Sequence, residues 1–197
     1  MSVQKILTVQ NPVLRTSAKK VTQFDKRIER LITDLIDTLK VQKDPIGVGL
    51  AAPQIGKSIR LFVAKLGKDI IPFINPEITW KSENTNDPKP TKRFPKSLEA
   101  QEPISPEYIM EGCLSLPHFY GPVQRAHQVT VRYQTPKLEI GNWKLEITTK
   151  SFSGLAAQII QHETDHLNGT LFIDNLLHQK RKLYKWEGKE WEEVELP

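Results

Sequence analysis

The stretch QHETDHLNG, residues 161–169, contains two histidines and a glutamate at a spacing that suits a metal site. His162 and His166 are four residues apart, so on a helix both side chains project from one face, about one turn apart. Two imidazoles placed this way can bind one metal ion together. Glu163 is rotated by about 100° from His162 and can reach a water molecule beside the metal without being a ligand. The stretch therefore predicts a metal-dependent hydrolase in which Glu163 transfers protons.

The residues on either side of this stretch predict that it lies on a buried helix. Residues 152–168 form one helical pattern, which Ser151 or Ser153 can cap at its start and Gly169 can end. The apolar positions of the pattern are Leu155, Ile159, Ile160 and Leu167. Because these apolar residues surround the two histidines, a helix with two surface histidines is the less favoured interpretation.

A catalytic site of this kind needs a third protein ligand beside a position left open for water. One alternative is the metalloprotease pattern His-Glu-x-x-His-x-x-Gly-x-x-His, which the chain matches through Gly169, but Phe172 occupies the place of the last histidine. A second alternative is a later glutamate such as Glu187 or Glu190, although that region has the pattern of a polar hairpin. The third is Cys113 in the segment EGCLSLP, because a thiolate is a strong ligand for Fe(II) or zinc. The residues alone leave these alternatives open.

Length and composition indicate one soluble domain without a membrane helix. The 197 residues can form one sizeable core, and 38% hydrophobic with 26% charged residues is an ordinary globular composition. No apolar run approaches the roughly 20 residues of a membrane span, and the N-terminus lacks the apolar core of a secretory signal. The single cysteine, Cys113, cannot form an intrachain disulfide, which fits a reducing compartment. The net charge of +5 is compatible with a ribosome-contacting surface, although a solvated lysine-rich surface is the simpler explanation.

The first half of the chain predicts one amphipathic helix followed by strands. Within TQFDKRIERLITDLIDTLKVQ (22–42), Thr22 and Asp25 resemble a capping box. The apolar face of this helix is formed by Phe24, Ile28, Leu31, Ile32, Leu35 and Leu39. The segment GVGLAAPQ (47–54) is a loop or an irregular extended stretch. The predicted strands that follow are IRLFVAKL (59–66) and IIPFINPEITW (70–80).

The second half of the chain predicts an insertion, a hairpin and a separate C-terminal tail. Residues 82–108 are polar and rich in proline, which favours a surface insertion within one domain. VTVRYQT (129–135) and WKLEITTK (143–150) alternate apolar and polar residues, as the two strands of an antiparallel hairpin do. The tail, residues 178–197, contains LYKWEGKEWEEVEL and is predicted to be a further hairpin or an extended arm.

Three segments together resemble the three motifs of the peptide deformylases, in the same order. They are GVGLAAPQ (47–54), EGCLS (111–115) and QHETDHLNG (161–169). The resemblance covers most of the chain and is weaker over the proline-rich insertion and the tail. It implies a single α+β domain spanning residues 1–197, with small antiparallel or mixed β-sheets around a central metal-binding helix and an N-terminal amphipathic helix.

The resemblance also assigns roles to residues in the three motifs. It implies that Cys113, His162 and His166 hold one divalent metal ion. The ion would be Fe(II) in the cell, with zinc, nickel or cobalt accepted in the purified protein. Glu163 would be the general acid and base. The side chain of Gln54 and the backbone N–H of Leu114 would stabilise the oxyanion that forms when water attacks the formyl carbon.

On the substrate side, the resemblance implies that a peptide pairs with this chain as an added strand. The backbone around Val48 and Gly49 would provide that pairing. Tyr120 stands where some relatives place an arginine near the second side chain of the peptide. The expected lining of the methionine pocket is Ile109, Leu155 and Ile159.

The function implied is hydrolysis of the N-formyl group from the formyl-methionine of newly synthesised proteins, with release of formate. The expected partners are nascent formyl-methionyl peptides and a ribosome surface, with no nucleic-acid substrate and no membrane. Formyl-methionine initiation and the absence of a targeting segment favour the bacterial cytoplasm. The alternatives are a His-Glu-x-x-His metallopeptidase and, in a different class, a basic ribosome-binding protein with a structural metal.

Asp165 lies in the third motif without an evident part in the chemistry. We expect a buried ion pair between Asp165 and Arg125, with Arg132 as the second choice of partner. Glu111 could join this pair and thereby connect the second motif to the third. A solvated Asp165 on an exposed face is the simpler alternative.

Overall fold

The computed structural model describes residues 2–86, 110–139, 142–188 and 190–195. Its helices are α1 (Lys26–Lys40), α2 (Gly154–Leu167) and α3 (Phe172–His178), with 3₁₀ turns at Pro12–Arg15 and Ala52–Ile55. Its strands are β1 (Gly49–Ala51), β2 (Leu61–Leu66), β3 (Asp69–Lys81), β4 (Thr85–Asn86), β5 (Glu111–Cys113), β6 (Leu116–Gly121), β7 (Arg125–Ala126), β8 (Gln128–Glu139), β9 (Asn142–Ser153), β10 (Leu183–Trp186) and β11 (Trp191–Val194).

The strands form three sheets that surround α2. The largest sheet has the order β1-β2-β3-β8-β9, the second has the order β11-β10-β6-β5, and the third pairs β4 with β7. The ladders between these strands are antiparallel. The predicted α+β class with small sheets around the metal-binding helix is therefore confirmed, and the sheets are antiparallel rather than mixed.

The hairpin of β8 and β9 follows directly from alternation in the sequence. Val129, Val131 and Tyr133 are buried, whereas Arg132 between them is exposed. The predicted hairpin is confirmed, but its strands are longer than predicted. The ladder continues through residues 136–139, which the sequence suggested as part of the connection.

Helix α1 begins at a different capping residue from the predicted one. Asp25 is the N-cap, and its carboxylate accepts hydrogen bonds from the N–H groups of Arg27 and Ile28. The capping box that assigned the cap to Thr22 is therefore wrong, because Asp25 itself satisfies the first free N–H groups. The predicted apolar face packs against the β1–β3 side of the large sheet, with Phe24 only partly buried.

Helix α2 passes through the middle of the molecule, where it contacts β1, β2 and β9. Ser153 is at its N-cap position without a side-chain cap hydrogen bond, and the Ser151 hydroxyl instead pairs with Thr130. Gly169 follows its last turn with a φ of +75°, as predicted for the residue that ends the helix. A side chain there would also meet the backbone of Arg15, with the carbonyl carbon 2.7 Å from its Cβ position.

The C-terminal region adds a helix and a hairpin to the side of β6. The sequence did not predict α3, which buries Phe172, Ile173 and Leu176. The tail forms the hairpin β10–β11, the first of its two predicted alternatives, and β10 pairs with β6. Most of the predicted insertion, residues 87–108, lies outside the described residues. Over the ranges that the structure describes, no helix is long and apolar enough to cross a membrane.

Candidate metal centre

Cys113, His162 and His166 come together in the interior, with their ligand atoms all within 4.8 Å of one another. The Cys113 sulfur lies 3.2 Å from Nε2 of His166, and each of the three residues is buried. The two imidazole rings have centroids 4.8 Å apart and are nearly perpendicular, at 82°. A thiolate and two imidazoles are a donor set that suits Fe(II) or Zn²⁺, so these residues fit a divalent metal ion.

Two elements distant in sequence supply these ligands. The histidines lie one turn apart on α2, as their spacing predicted, and Cys113 ends β5. The cysteine strand is held by close packing at Gly112, where a side chain would lie 2.6 Å from ring atoms of Tyr120. The Tyr120 ring in turn meets Trp191 of β11 edge-on, with centroids 5.5 Å apart. The C-terminal hairpin therefore supports the strand that carries Cys113.

The charges at this centre favour the metal-binding form of the sulfur. Burial alone would raise the pKa of Cys113, but His166 and His162 outweigh burial and hold that pKa well below its ordinary value. Burial would likewise lower the pKa of His162, but Glu111 and Cys113 outweigh it and raise that pKa well above its ordinary value. Both pKa shifts favour a thiolate at Cys113 beside a protonated His162, and the thiolate is the form that binds metals.

Glu111 orients one of the two histidine ligands from behind. Nδ1 of His162 donates to Oε1 of Glu111 at 2.7 Å, which leaves Nε2 of the same ring for the metal. Arg125 grips the same carboxylate with two hydrogen bonds, of 2.9 and 2.6 Å. Burial raises the pKa of Glu111, but Arg125 and His162 more than offset burial and bring it to about 2. Glu111 is therefore ionised in the folded protein at neutral pH.

Arg125 also binds the carboxylate that the sequence left without a role. Its Nη1 donates to Oδ2 of Asp165 at 2.6 Å, and Asn175 donates to the same oxygen at 2.9 Å. The predicted pair of Asp165 with Arg125, joined by Glu111, is confirmed, but the Asp165 side chain is partly buried, at 25% exposed. Arg132, the second choice of partner, binds Glu77 at the surface instead. One guanidinium thus connects β5, which carries the cysteine, to α2, which carries the histidines.

Glu163 is buried beside the ligands. Among the described residues its Oε2 has no hydrogen-bond partner, and its side chain is 3% exposed. Burial raises its pKa to about 7, partly opposed by the two histidines. A carboxylate with a pKa near neutrality can both accept and return a proton at physiological pH. Gly49 makes room for it, because a side chain at Gly49 would lie 2.8 Å from Cδ of Glu163.

Gln54 reaches the metal centre from the 3₁₀ turn after β1. Its Oε1 accepts a hydrogen bond from the N–H of Ala51 at 2.8 Å, so its NH₂ group must face the other way. That group lies 3.2 Å from Oγ of Ser115 and 3.5 Å from the sulfur of Cys113. Leu114 follows Cys113 in the turn between β5 and β6. The structure therefore brings the Gln54 side chain to the cysteine, and the oxyanion role of the Leu114 N–H stays a prediction.

Three of the residues predicted to bind the peptide belong to one apolar cluster or pack against it. Val48 and Leu155 are partly buried and pack against the cluster that contains Ile159, which is 5% exposed. The next residue, Gly49, begins β1, and β1 is an edge strand of the large sheet. Tyr120 contacts Gly112 and Trp191 as described above, and its part in peptide binding stays a prediction. Ile109 lies outside the described residues.

The other two candidates for the third ligand are engaged elsewhere. Glu187 binds Lys185 at 2.7 Å in the C-terminal hairpin, and its N–H pairs with the carbonyl of Glu190 across the turn. Phe172 is buried in the apolar cluster that contains Leu176, with its ring 6.3 Å from that of His162. Cys113 is therefore the candidate that the fold places with the histidines.

Two contacts at the centre were not predicted from the sequence. One is the bond of Glu111 to His162, and the other is the bond of Ser115 to Gln54. A signal for the first was available, because Glu111 and Cys113 are two residues apart on a strand and therefore project to the same side. No local pattern indicated the second, because Ser115 and Gln54 are 61 residues apart.

The sequence and the fold of this chain are similar to those of one family of enzymes. The family model described as Polypeptide deformylase matches residues 3–182. The peptide deformylase of Natranaerobius thermophilus is 41% identical over 175 residues, which cover 88% of this chain and 92% of that protein. The peptide deformylase of Pseudothermotoga lettingae is 39% identical over 179 residues, covering 91% of this chain and 86% of that protein. The crystal structure of peptide deformylase from Thermotoga maritima matches with a TM-score of 0.69 and 34% identity, covering 88% of this chain and 97% of that one.

Proposed function

This chain belongs to the peptide deformylase family, and we propose that Cys113, His162 and His166 hold the divalent metal ion on which that family depends. The chain is a metallohydrolase that removes the N-formyl group from the N-terminal formyl-methionine of newly made proteins and releases formate. The observation that carries the assignment of ligands is the convergence of one thiolate and two imidazoles within 4.8 Å in a buried centre.

The metal ion is Fe(II) in the cell, and zinc, nickel or cobalt can replace it in the purified protein. Once bound, it polarises the formyl carbonyl and lowers the pKa of water. The donor set supports this choice, since a thiolate with two imidazoles accepts each of these ions. A thiolate beside Fe(II) is readily oxidised, so the iron form loses activity in air.

Glu163 moves the protons of the reaction. Its buried carboxylate takes a proton from the attacking water as the C–O bond forms, and it then gives that proton to the amine nitrogen as the C–N bond breaks. The pKa of about 7 that burial gives Glu163 suits both steps near neutral pH. Formate and the free amino terminus of the peptide are the products.

Gln54 and Leu114 stabilise the negative charge that develops on the formyl oxygen. The NH₂ group of Gln54 is turned toward Cys113 because Ala51 holds its carbonyl end. The N–H of Leu114 belongs to the peptide group that follows Cys113. Donors fixed before the reaction stabilise an oxyanion without paying for reorganisation, and removing one such donor costs on the order of 10²–10³ in rate.

The peptide enters along the edge of β1 that pairs with no other strand among the described residues. Residues Val48 and Gly49 pair with its backbone as an additional strand, which orients the formyl group toward Glu163. Leu155, Ile159 and Ile109 line the pocket for the methionine side chain, and Tyr120 lies toward the next side chain of the peptide. Two observations support this pocket. Strand β1 lies at the edge of its sheet, and Val48 and Leu155 pack against the cluster that contains Ile159.

The substrates are nascent formyl-methionyl peptides, so the protein works in the bacterial cytoplasm, near the ribosomal exit. The net charge of +5 supports contact with the anionic ribosome surface. The protein acts on no nucleic acid and needs no membrane. The chain forms one catalytic domain.

The experiment that tests these assignments combines a thiol reagent with an assay for formate. Cys113 is the only cysteine, so its rate of labelling should be low with metal bound and should rise when a chelator removes the metal. Formate release from formyl-Met-Ala-Ser should stop in the same chelated sample and return when Fe(II) or nickel is restored. Equal labelling rates with and without metal would show that the sulfur is not a ligand, even if deformylation is observed.

A further inference from the structure

We infer that Ser115 is a positioning residue for the oxyanion donor Gln54. Ser115 is the last residue of the second motif, EGCLS, and none of the roles assigned above uses its side chain. Both Ser115 and Gln54 are 1% exposed, so the contact between them is shielded from water. The inference rests on the proposed role of Gln54 in the deformylation reaction.

The hydrogen bonds of Gln54 leave its amide one orientation. Ala51 donates to Oε1 at 2.8 Å, and Nε2 donates to Oγ of Ser115 at 3.2 Å. An NH₂ group has two hydrogens in a fixed plane, so fixing one of them on Ser115 also fixes the direction of the other. The second hydrogen is directed to the side of the Cys113 sulfur, which lies 3.5 Å from Nε2. The proposed function places the formyl oxygen on this side.

The backbones of the two residues are tied together by the N-terminal segment. The N–H of Leu7 donates to the carbonyl of Gln54 at 2.8 Å, and the N–H of Val9 donates to the carbonyl of Ser115 at 3.0 Å. The N–H of Ser115 itself lies 3.4 Å from the Cys113 sulfur. Because the main chains are fixed in this way, the Ser115 hydroxyl is held at a constant place for Gln54. Replacing the side chain removes the hydroxyl but leaves these backbone bonds.

The test is a double-mutant cycle of Ser115→Ala and Gln54→Ala, measured as kcat and KM on formyl-Met-Ala-Ser with equal metal content. Ser115→Ala should lower kcat about fivefold to tenfold with little change in KM, as expected for the loss of one neutral hydrogen bond. In the Gln54→Ala background the same substitution should have no further effect, because the group that Ser115 positions is already absent.

A second readout is independent of activity. In ¹H–¹⁵N spectra of the zinc-loaded protein, the side-chain NH₂ signals lost in Gln54→Ala identify Gln54. Those signals should shift in Ser115→Ala. Thr164→Val is the matched control, because it removes a buried hydroxyl of α2 that has no hydrogen-bond partner among the described residues. This control should leave both kcat and the Gln54 signals unchanged.

The outcomes separate this inference from the proposed function. If Ser115→Ala lowers kcat by the same factor in both backgrounds, or leaves the Gln54 signals in place, Ser115 does not position Gln54 and the inference fails alone. If Gln54→Ala has the kcat of the unmodified protein, the oxyanion role of Gln54 fails, and the inference fails with it. The inference is supported if Ser115→Ala lowers kcat only when Gln54 is present and also shifts the Gln54 signals.

Discussion

Helices α1 and α2 are nearly equal in length, at 15 and 14 residues, but α2 buries many polar and ionisable side chains and α1 buries mainly apolar ones. Helix α1 is capped by Asp25 and turns one apolar face to the large sheet, while most of its charged residues are exposed. That is the ordinary pattern of a surface helix, in which burial of the apolar stripe stabilises the element. Among its buried positions, Leu35 is completely enclosed.

Helix α2 lacks a side-chain cap and buries polar and ionisable groups. They are Gln158, Gln161, His162, Glu163, Thr164 and His166. Groups of this kind destabilise a protein interior unless they find partners. Partners come from other elements, chiefly Glu111 for His162 and the backbone of Ala126 for Gln161. Helix α1 therefore contributes to the fold mainly through its apolar stripe, whereas α2 packs Ile160 and Leu167 into the core and also depends on its neighbours to hold its polar groups.

Of the substitutions considered, replacement of Arg125 should have the largest effect on stability and on metal retention. Arg125→Leu leaves the buried carboxylate of Glu111 and the partly buried one of Asp165 without their counter-charge, which costs about 4 kcal/mol of unfolding free energy. It also releases the carboxylate that orients His162, so metal should dissociate faster. Denaturant unfolding and the rate of metal transfer to a chelator measure the two effects.

The matched control for this prediction is Arg132→Leu. Arg132 also pairs with a carboxylate, that of Glu77, but both side chains are more than half exposed, at 55% and 58%. Exposed ion pairs contribute little, so unfolding and metal transfer should be unchanged. If the two arginine variants behaved alike, the buried network would not be what supports α2.

A cavity in α1 should affect stability but not chemistry. Leu35→Ala should lower the unfolding free energy by about 3 kcal/mol, because a fully buried leucine leaves a cavity that neighbours fill only in part. Leu177→Ala, at a position 52% exposed, serves as the control and should change little. In both variants the folded fraction should retain its metal and its kcat. A fall in kcat per folded molecule in Leu35→Ala would mean that α1 takes part in the site.

Acid should destabilise the α2 side of the molecule through Glu111. The pKa of Glu111 falls from its ordinary value of 4.5 to about 2 in the folded protein. A carboxyl group with a depressed pKa stabilises the folded state above its unfolded pKa, and this contribution is lost as the pH falls from about 4.5 toward 2. Glu111→Gln should therefore be less stable than the unmodified protein at pH 6, and the difference should shrink by pH 3. Thermal unfolding in the presence of a chelator measures this, and a difference independent of pH would contradict it.

Sequence patterns predicted the parts of this molecule that depend on local spacing. The four-residue separation of His162 and His166 predicted that their rings lie together, as they do. Alternation in residues 129–135 and 143–150 predicted the β8–β9 hairpin. Cys113 was one of three candidates by residue type, and only the resemblance to a family selected it. That choice needs tertiary contacts, because 53 residues separate Cys113 from His166.

Other features escaped prediction for physical reasons. Helix α3 has seven residues, which is too short for a periodic pattern or for stability in isolation, so its burial against the rest of the fold decides it. The capping-box prediction placed Asp25 at position N3, although Asp25 is the N-cap and its own carboxylate caps the helix. The hydrogen bond of Ser115 to Gln54 joins two motifs that only the folded chain brings together.

The most direct test of the central claim is the metal content and formate release of Glu163→Gln beside His162→Ala. Glutamine preserves the shape of Glu163 but cannot accept a proton, so this variant should remain folded and keep one metal ion per chain. Its formate release from formyl-Met-Ala-Ser should fall about 10³-fold. His162→Ala should lose both the metal and the activity. If Glu163→Gln retained substantial deformylation with its metal bound, Glu163 would not be the general base, and the mechanism proposed for this centre would be wrong.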